Sequence, residues 1–148
     1  MQRKMKVYLA GEIHSDWRER IENSAAQSQL PVVFCSPVTD HGASDSCGVE
    51  ILGPEENPFW GDHKGGKINA IRTRRLIADA DVVVVRFGDK YKQWNAAFDA
   101  GYAVALGKPL IVQHGAENAH ALKEVDASAL AVAAEPGQVV EILRYVTA

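Results

Sequence analysis

The chain has 148 residues, 47% of them hydrophobic and 24% charged, with a formal net charge of -3. That balance suits one folded domain spanning residues 1–148 and excludes disorder. It also leaves no basic footprint for nucleic acid, since Arg72, Arg74 and Arg75 are the nearest approach to one and read as a solvated helix face. No apolar run approaches the length needed to cross a bilayer, and Met1 to Lys6 leads straight into a strand without a signal-peptide core. Cys35 and Cys47 are too few for a disulfide framework or a zinc site, so reduced thiols and a cytoplasmic location are the default expectation.

Short β-branched runs alternate with helical stretches, which predicts a parallel sheet covered on both faces. The first strand is Lys6 to Ala10. A helix follows from about Asp16 to Ser28, capped by Ser15 or Asp16, with Trp17, Ile21 and Ala25 on one face. The second strand is Val32 to Ser36. Pro37 to Lys67 lacks periodicity and reads as a long ordered loop over a site, because connections of this length in compact domains tend to be lids or binding loops. The next helix, Ile68 to Ala78, turns Ile68, Ile71 and Leu76 inward and its arginines outward.

The third strand, Asp81 to Val85, is apolar throughout, as expected of a strand in the sheet interior. A helix from about Asn95 stops at Gly107. A strand at Leu110 to Gln113, a short helix near Ala119 to Val125, a strand at Leu130 to Ala133 and a helix from Pro136 to Tyr145 complete the chain. The expected fold class is α/β: a doubly wound, five-stranded parallel sheet of flavodoxin-like order.

Within the long loop, Gly61-Asp62-His63-Lys64-Gly65-Gly66-Lys67 has the glycine and lysine spacing of a phosphate-binding loop. Ile68 stands where the metal-binding Ser or Thr belongs, and no strand leads in, so a triphosphatase is not implied. Two readings stay open: backbone amides holding an anion with Lys64 or Lys67, and a solvated glycine turn. Trp60 or His63 is expected to help close the pocket, this chain's own or a neighbour's.

The stretch from Trp94 to Pro109 is the most informative. Its helix follows the central strand, so its first turn points at the carboxyl edge of the sheet, where open α/β sheets bind ligands. Asn95 and Asp99 share a face, and the positive helix end is expected to keep Asp99 ionised. Glu12 and His14 follow the first strand at the same edge, as proton donors or, less simply, metal ligands; the expected metal content is none, and no cofactor is called for. Arg86 ends the third strand there, either to meet a phosphate or carboxylate or to pair with Asp89.

A Gly101-Tyr102-Ala103…Ala105-Leu106-Gly107-Lys108-Pro109 helix after Ala80-Asp81-Val82-Val83-Val84-Val85 resembles the signature of the nucleoside 2-deoxyribosyltransferase superfamily. More narrowly, Tyr8 to Arg18 and Tyr91 to Asp99 resemble its YtoQ branch, over nearly the whole chain. In the transferases a helix carboxylate attacks the anomeric carbon of a nucleoside, and a first-strand Tyr hydrogen-bonds it. The resemblance therefore implies Asp99 as nucleophile and Tyr8 as its partner, within hydrogen-bonding reach or one water apart.

Gly11, Trp17 and Trp94 fall within the matching stretches and are expected at the ligand together with Glu12, His14 and Arg86 at the same sheet edge, and Asn95 is expected as a sugar-hydroxyl ligand. Three departures from the family pattern are plain. Asp99 replaces a Glu, Trp94-Asn95-Ala96 replaces a glycine-rich approach, and Thr73 stands at the base-reading Asp.

Two functions are implied. One is an enzyme acting on the N-glycosidic bond of a nucleoside or nucleotide, by deoxyribosyl transfer or hydrolysis. The other is a non-catalytic nucleotide- or sugar-phosphate-binding domain that kept the pocket. A third reading is an interaction module whose aromatic loop docks a partner. The expected partners are a small-molecule nucleoside, nucleotide or sugar phosphate and, by resemblance, further copies of the chain, since relatives complete their sites with a neighbouring subunit. Neither nucleic acid nor membrane is expected.

Overall fold

The computed structural model describes residues 3–148. Five strands form one parallel sheet: β1 (Met5–Gly11), β2 (Val32–Cys35), β3 (Val82–Phe87), β4 (Leu110–His114) and β5 (Ala131–Ala133), in the order β2-β1-β3-β4-β5. Helices α1 (Trp17–Gln27) and α6 (Pro136–Val146) cover one face. Helices α3 (Pro58–Asp79) and α4 (Trp94–Ala105) cover the other, together with the segment of α5 (Lys123–Ser128). Among the described residues no helix is long and apolar enough to cross a membrane.

Strand alternation divides the core. Tyr8, Ala10, Val83 and Val85 point towards α3 and α4, while Val7, Leu9, Val82 and Val84 point towards α1 and α6. β3 is buried on both faces, so no polar residue interrupts Val82 to Val85. α4 ends as its sequence suggests: Gly107, at φ +73°, takes the left-handed position beyond the last turn. The α1 start differs from expectation. Asp16 stands at the cap without a side-chain cap bond, and the Ser15 hydroxyl donates to Glu12 instead.

The larger correction is Pro37 to Lys67. This segment contains no long loop: it holds α2 (His41–Leu52) and the first half of α3. Asp40 caps α2 by accepting from the Ala43 N–H, and Asn57 caps α3 by accepting from the Phe59 N–H, with Pro58 in the first turn. The two helices pack through glycine, so no apolar stripe marks them. A Cβ on Gly48 would lie 2.4 Å from the Gly65 nitrogen. Gly65 thus serves a helix crossing in mid-helix, and the phosphate-loop reading of Gly61 to Lys67 fails with it. Lys64 is already engaged, paired with Glu55 at 2.6 Å and donating to the Gly53 carbonyl.

Of the residues expected inward, Ile71 is exposed, and Ile77 takes the fully buried position.

Gly48→Val is expected to force α2 away from α3, since backbone cannot yield as a flexible side chain does. The cost is about 2–3 kcal/mol, at the upper end of overpacking. Limited proteolysis between Gly53 and Asn57 reads it: faster cleavage than wild type supports the glycine seam, and equal rates refute it.

Candidate functional site

The strand order reverses between β1 and β3, and the crevice outside their carboxyl ends is where such sheets bind ligands. A cleft of about 810 Å3 opens there. One wall is the β1–α1 turn, Gly11 to His14, and the other is the approach to α4, Tyr91 to Ala96, continuing to Phe98 and Asp99. α3 closes the third side with Asp62, Gly66, Asn69 and Thr73, which recur every three or four residues on one helix face.

Hydrogen bonds hold the first wall rigidly. Arg18 is buried and donates to the carbonyls of Leu9, Gly11 and Glu12, and the Trp17 indole N–H donates to the Glu12 carbonyl at 2.7 Å. Burial drives the Arg18 pKa down to about 10, leaving it charged at neutral pH. Glu12 is only 6% exposed. Burial alone would raise its carboxyl, but the Ser15 hydroxyl, the His14 backbone N–H and Arg86 together hold it below the ordinary carboxylate range. Glu12 is thus an ionised, fully engaged acceptor, and its expected role as proton donor does not fit.

Arg86 pairs with Glu12 at 3.3 Å and donates to Gln113. The expected partner Asp89 instead accepts from Asn118. The β1–β3 register, Gly11 opposite Arg86, dictates this choice. Arg86 therefore braces the wall from behind and does not line the cleft.

Gly11, Glu12, His14, Trp94, Asn95 and Asp99 all line the cleft. Trp17, Trp60 and His63 do not. Trp17 packs in the core on the α1 face of the sheet. Trp60 and His63 group with Phe59 on the first turns of α3, turned from the face that carries Asp62 and Asn69. Arg74, expected in solvent, lines the cleft and lies over the rings of Phe98 and Tyr102. Asn69 and Arg74 went unrecognised because their helix face is visible only once α3 is known to be continuous, and Gln93 because nothing in the sequence sets apart the residue before α4.

Asp99 and Tyr8 lie on the same side of the sheet. Asp99 sits in the second turn of α4, past the reach of the helix dipole, and burial pushes its carboxyl up to about 6. The shift runs against the helix-end effect suggested by the sequence, although at neutral pH the group stays mostly ionised. Beneath it the Tyr8 phenol is pushed up to about 12, chiefly by burial and further by the charge of Asp99, against lowering by Thr73 and Arg72. The Tyr8 hydroxyl makes no hydrogen bond of good geometry, although the Thr73 side chain is near enough to bear on it, so of the two expected arrangements with Asp99, direct or through one water, the direct bond is not formed.

The contrast with other buried polar groups is sharp. Glu12, Arg18, Gln113 and His114 are all satisfied, the last by Asp126 and the Gly115 carbonyl. Among the described residues, the buried side-chain atoms without partners are Tyr8 Oη and Gln93 Nε2; Gln93 lines the cleft, whereas Tyr8 lies in the core and does not line it.

Tyr8→Phe is expected to leave stability unchanged or raise it by up to about 1 kcal/mol, because it removes an unpaired buried hydroxyl. A thermal melt showing a loss beyond that range would mean the hydroxyl has a partner in the free protein.

The family model described as nucleoside 2-deoxyribosyltransferase YtoQ matches residues 8–147. The protein YtoQ of Bacillus subtilis (strain 168) is 45% identical over 139 residues, 94% of each chain. Among solved structures, a conserved protein from Enterococcus faecalis V583 superposes with a TM-score of 0.65 at 14% identity, over 97% of this chain and 99% of that one. The 2-deoxyribosyltransferase of Bacillus psychrosaccharolyticus does so with a TM-score of 0.53 at 17% identity, over 91% and 90%. At such identities the two structures establish a shared fold.

Proposed function

Because the chain belongs to the nucleoside 2-deoxyribosyltransferase YtoQ family, we propose that it is an enzyme that cleaves the N-glycosidic bond of a nucleoside or nucleotide, with Asp99 as nucleophile. One observation carries the reading. Asp99 is a half-buried carboxylate in the cleft wall whose pKa is moved by burial alone, with no neighbouring cation or donor to quench it. A desolvated carboxylate is a stronger nucleophile than a hydrated or ion-paired one, and at neutral pH it is mostly ionised.

In this reading the Asp99 carboxylate forms a bond to the anomeric carbon as the C1′–N bond breaks. The electron pair leaves with the base, which takes up a proton. The resulting sugar ester is then attacked by water, giving hydrolysis, or by a second base, giving transfer. Tyr8 orients the carboxylate once a ligand or water bridges the two. Since Glu12 is held ionised, His14 is the remaining side chain of that wall to supply the proton.

The second reading, a binding domain without chemistry, is favoured by the missing Tyr8–Asp99 bond and by the shorter reach of Asp. A panel of deoxynucleosides, ribonucleosides and their 5′-monophosphates separates the two. Free base released by the wild type supports the enzyme. Ligand-induced thermal stabilisation without release supports the binding domain; a ligand at a hundred times its Kd adds about 2.7 kcal/mol. Sedimentation of the same preparations reads the self-association that the family likeness implies.

A further inference from the structure

Gln93 immediately precedes α4 and lines the cleft. Its Oε1 accepts from the Gly88 backbone N–H at 3.0 Å. That bond fixes which end of the amide is which, because a backbone N–H requires an acceptor. The Nε2 group is therefore a donor, and it is buried with no partner. An unmade buried hydrogen bond is costly, and the remaining buried polar groups named above show that this fold satisfies them elsewhere. Gly88 is held in place from the other wall, since a Cβ there would meet the Glu12 Cγ at 2.6 Å. The amide is thus anchored by one end and free at the other.

Two lining aromatics flank it, Tyr91 and Trp94, each more than half exposed. His14 already lies against the Tyr91 ring, and Lys90 and Lys92 lie over the Tyr91 and Trp94 rings, so a base stacking here would meet an aromatic surface lined with cations near the amide.

We propose that Gln93 is a substrate-contacting residue that donates through Nε2 to a carbonyl oxygen or ring nitrogen on the edge of the bound base. The inference rests on the N-glycosidic reading above and adds to it. Such a bond strengthens as the electron pair moves onto the departing base, so it acts on kcat as well as on binding. It also gives the site a way to stabilise the leaving group that Glu12 does not provide.

Two variants test it. Gln93→Glu keeps an oxygen for the Gly88 N–H and replaces the free donor by an acceptor, while Gln93→Met removes both ends without adding charge. Base release is measured for thymidine with its 2-thio and 4-thio counterparts, and for deoxyadenosine with its 1-deaza, 3-deaza and 7-deaza counterparts. Wild type is expected to lose about tenfold or more in kcat/KM when the contacted acceptor is replaced, the scale of one lost hydrogen bond. Both variants should fall to about a hundredth of wild-type kcat/KM on the parent nucleosides and no longer respond to that replacement.

Variants that retain wild-type rates, or that discriminate among the analogues as wild type does, overturn the assignment of Gln93 while leaving the N-glycosidic reading intact. If wild type releases no base yet is stabilised by these nucleosides, the enzymatic reading fails. Kd values for the same pairs then decide Gln93, with loss of discrimination in both variants as the supporting result. Neither release nor binding by wild type overturns both.

Discussion

Asp99→Asn is expected to reduce base release at least about a thousandfold while making the folded protein more stable. The amide has nearly the shape of the carboxyl and still hydrogen-bonds, but it can neither attack an anomeric carbon nor stabilise positive charge there. The stability gain follows from linkage. Burial raises the Asp99 pKa from 3.8 to about 6, so the folded state favours the neutral acid. The stability this gives relative to an ionised carboxylate is fully present below about pH 4 and is lost as pH rises through about 6.

Above that window the charged group is a constant burden, and Asn removes it. One pKa unit corresponds to about 1.36 kcal/mol; allowing for the part of the side chain that remains in water, the gain is about 2 kcal/mol. That amounts to roughly 4–8 °C in Tm at pH 8, vanishing near pH 4. Wild-type kcat/KM should rise with pH up to about 6 and then level, as the nucleophile ionises. Base release unaltered by the substitution would remove Asp99 as nucleophile. A higher Tm without loss of activity would make it a buried liability unconnected with the chemistry.

The same residue shows where the sequence was legible and where it was not. The strands announced themselves, because Val7 to Ala10, Val82 to Val85 and Leu110 to Val112 are buried by a parallel sheet and must be apolar. The α4 signature and its position after β3 placed Asp99 in the cleft wall correctly. The upward shift of its carboxyl was not legible, because the dipole of a helix end is visible in sequence whereas burial by the rest of the fold is not.

Trp17 carried its own correction: it repeats with Ile21 and Ala25 on the buried stripe of α1, which is a core position and not a ligand contact. The Arg86–Glu12 pair could not be read locally, since it depends on the register of strands separated by more than seventy residues. The α2–α3 pair was hidden for a different reason. Its seam is Gly48 against Gly65, with Asn69 donating to the Ser44 carbonyl and hydroxyl, so neither helix needs the apolar periodicity by which helices are recognised. Of the glycines that imitated a phosphate loop, Gly65 was the signal of that crossing.

Gly11→Ala is expected to cost about 4 kcal/mol or more, among the largest effects available to a single methyl group in this chain. Two independent penalties meet at this position. Gly11 has φ +109°, a backbone conformation that L side chains rarely adopt. An added Cβ would also lie 2.1 Å from the Arg86 carbonyl oxygen and 2.9 Å from its nitrogen. Both neighbours are backbone of β3, the central strand, so neither can swing aside. Relief requires β1 to part from β3 at the carboxyl edge, which breaks the Glu12 N–H to Arg86 carbonyl bond and draws the Arg18 clamp from its acceptors.

The wall from Gly11 to His14 then loses its position, and with it one side of the cleft. For a chain of this length the loss corresponds to roughly 8–16 °C in Tm. Whatever protein still folds should have lost ligand-induced stabilisation. The comparison is Gly66→Ala, on the cleft face of α3, where a Cβ meets nothing within 4 Å and the helix gains a better former. Thermal melts of the two variants side by side decide the matter. If Gly11→Ala melts within about 2 °C of wild type, the close approach of β1 and β3 at Arg86 is not the constraint that shapes this site.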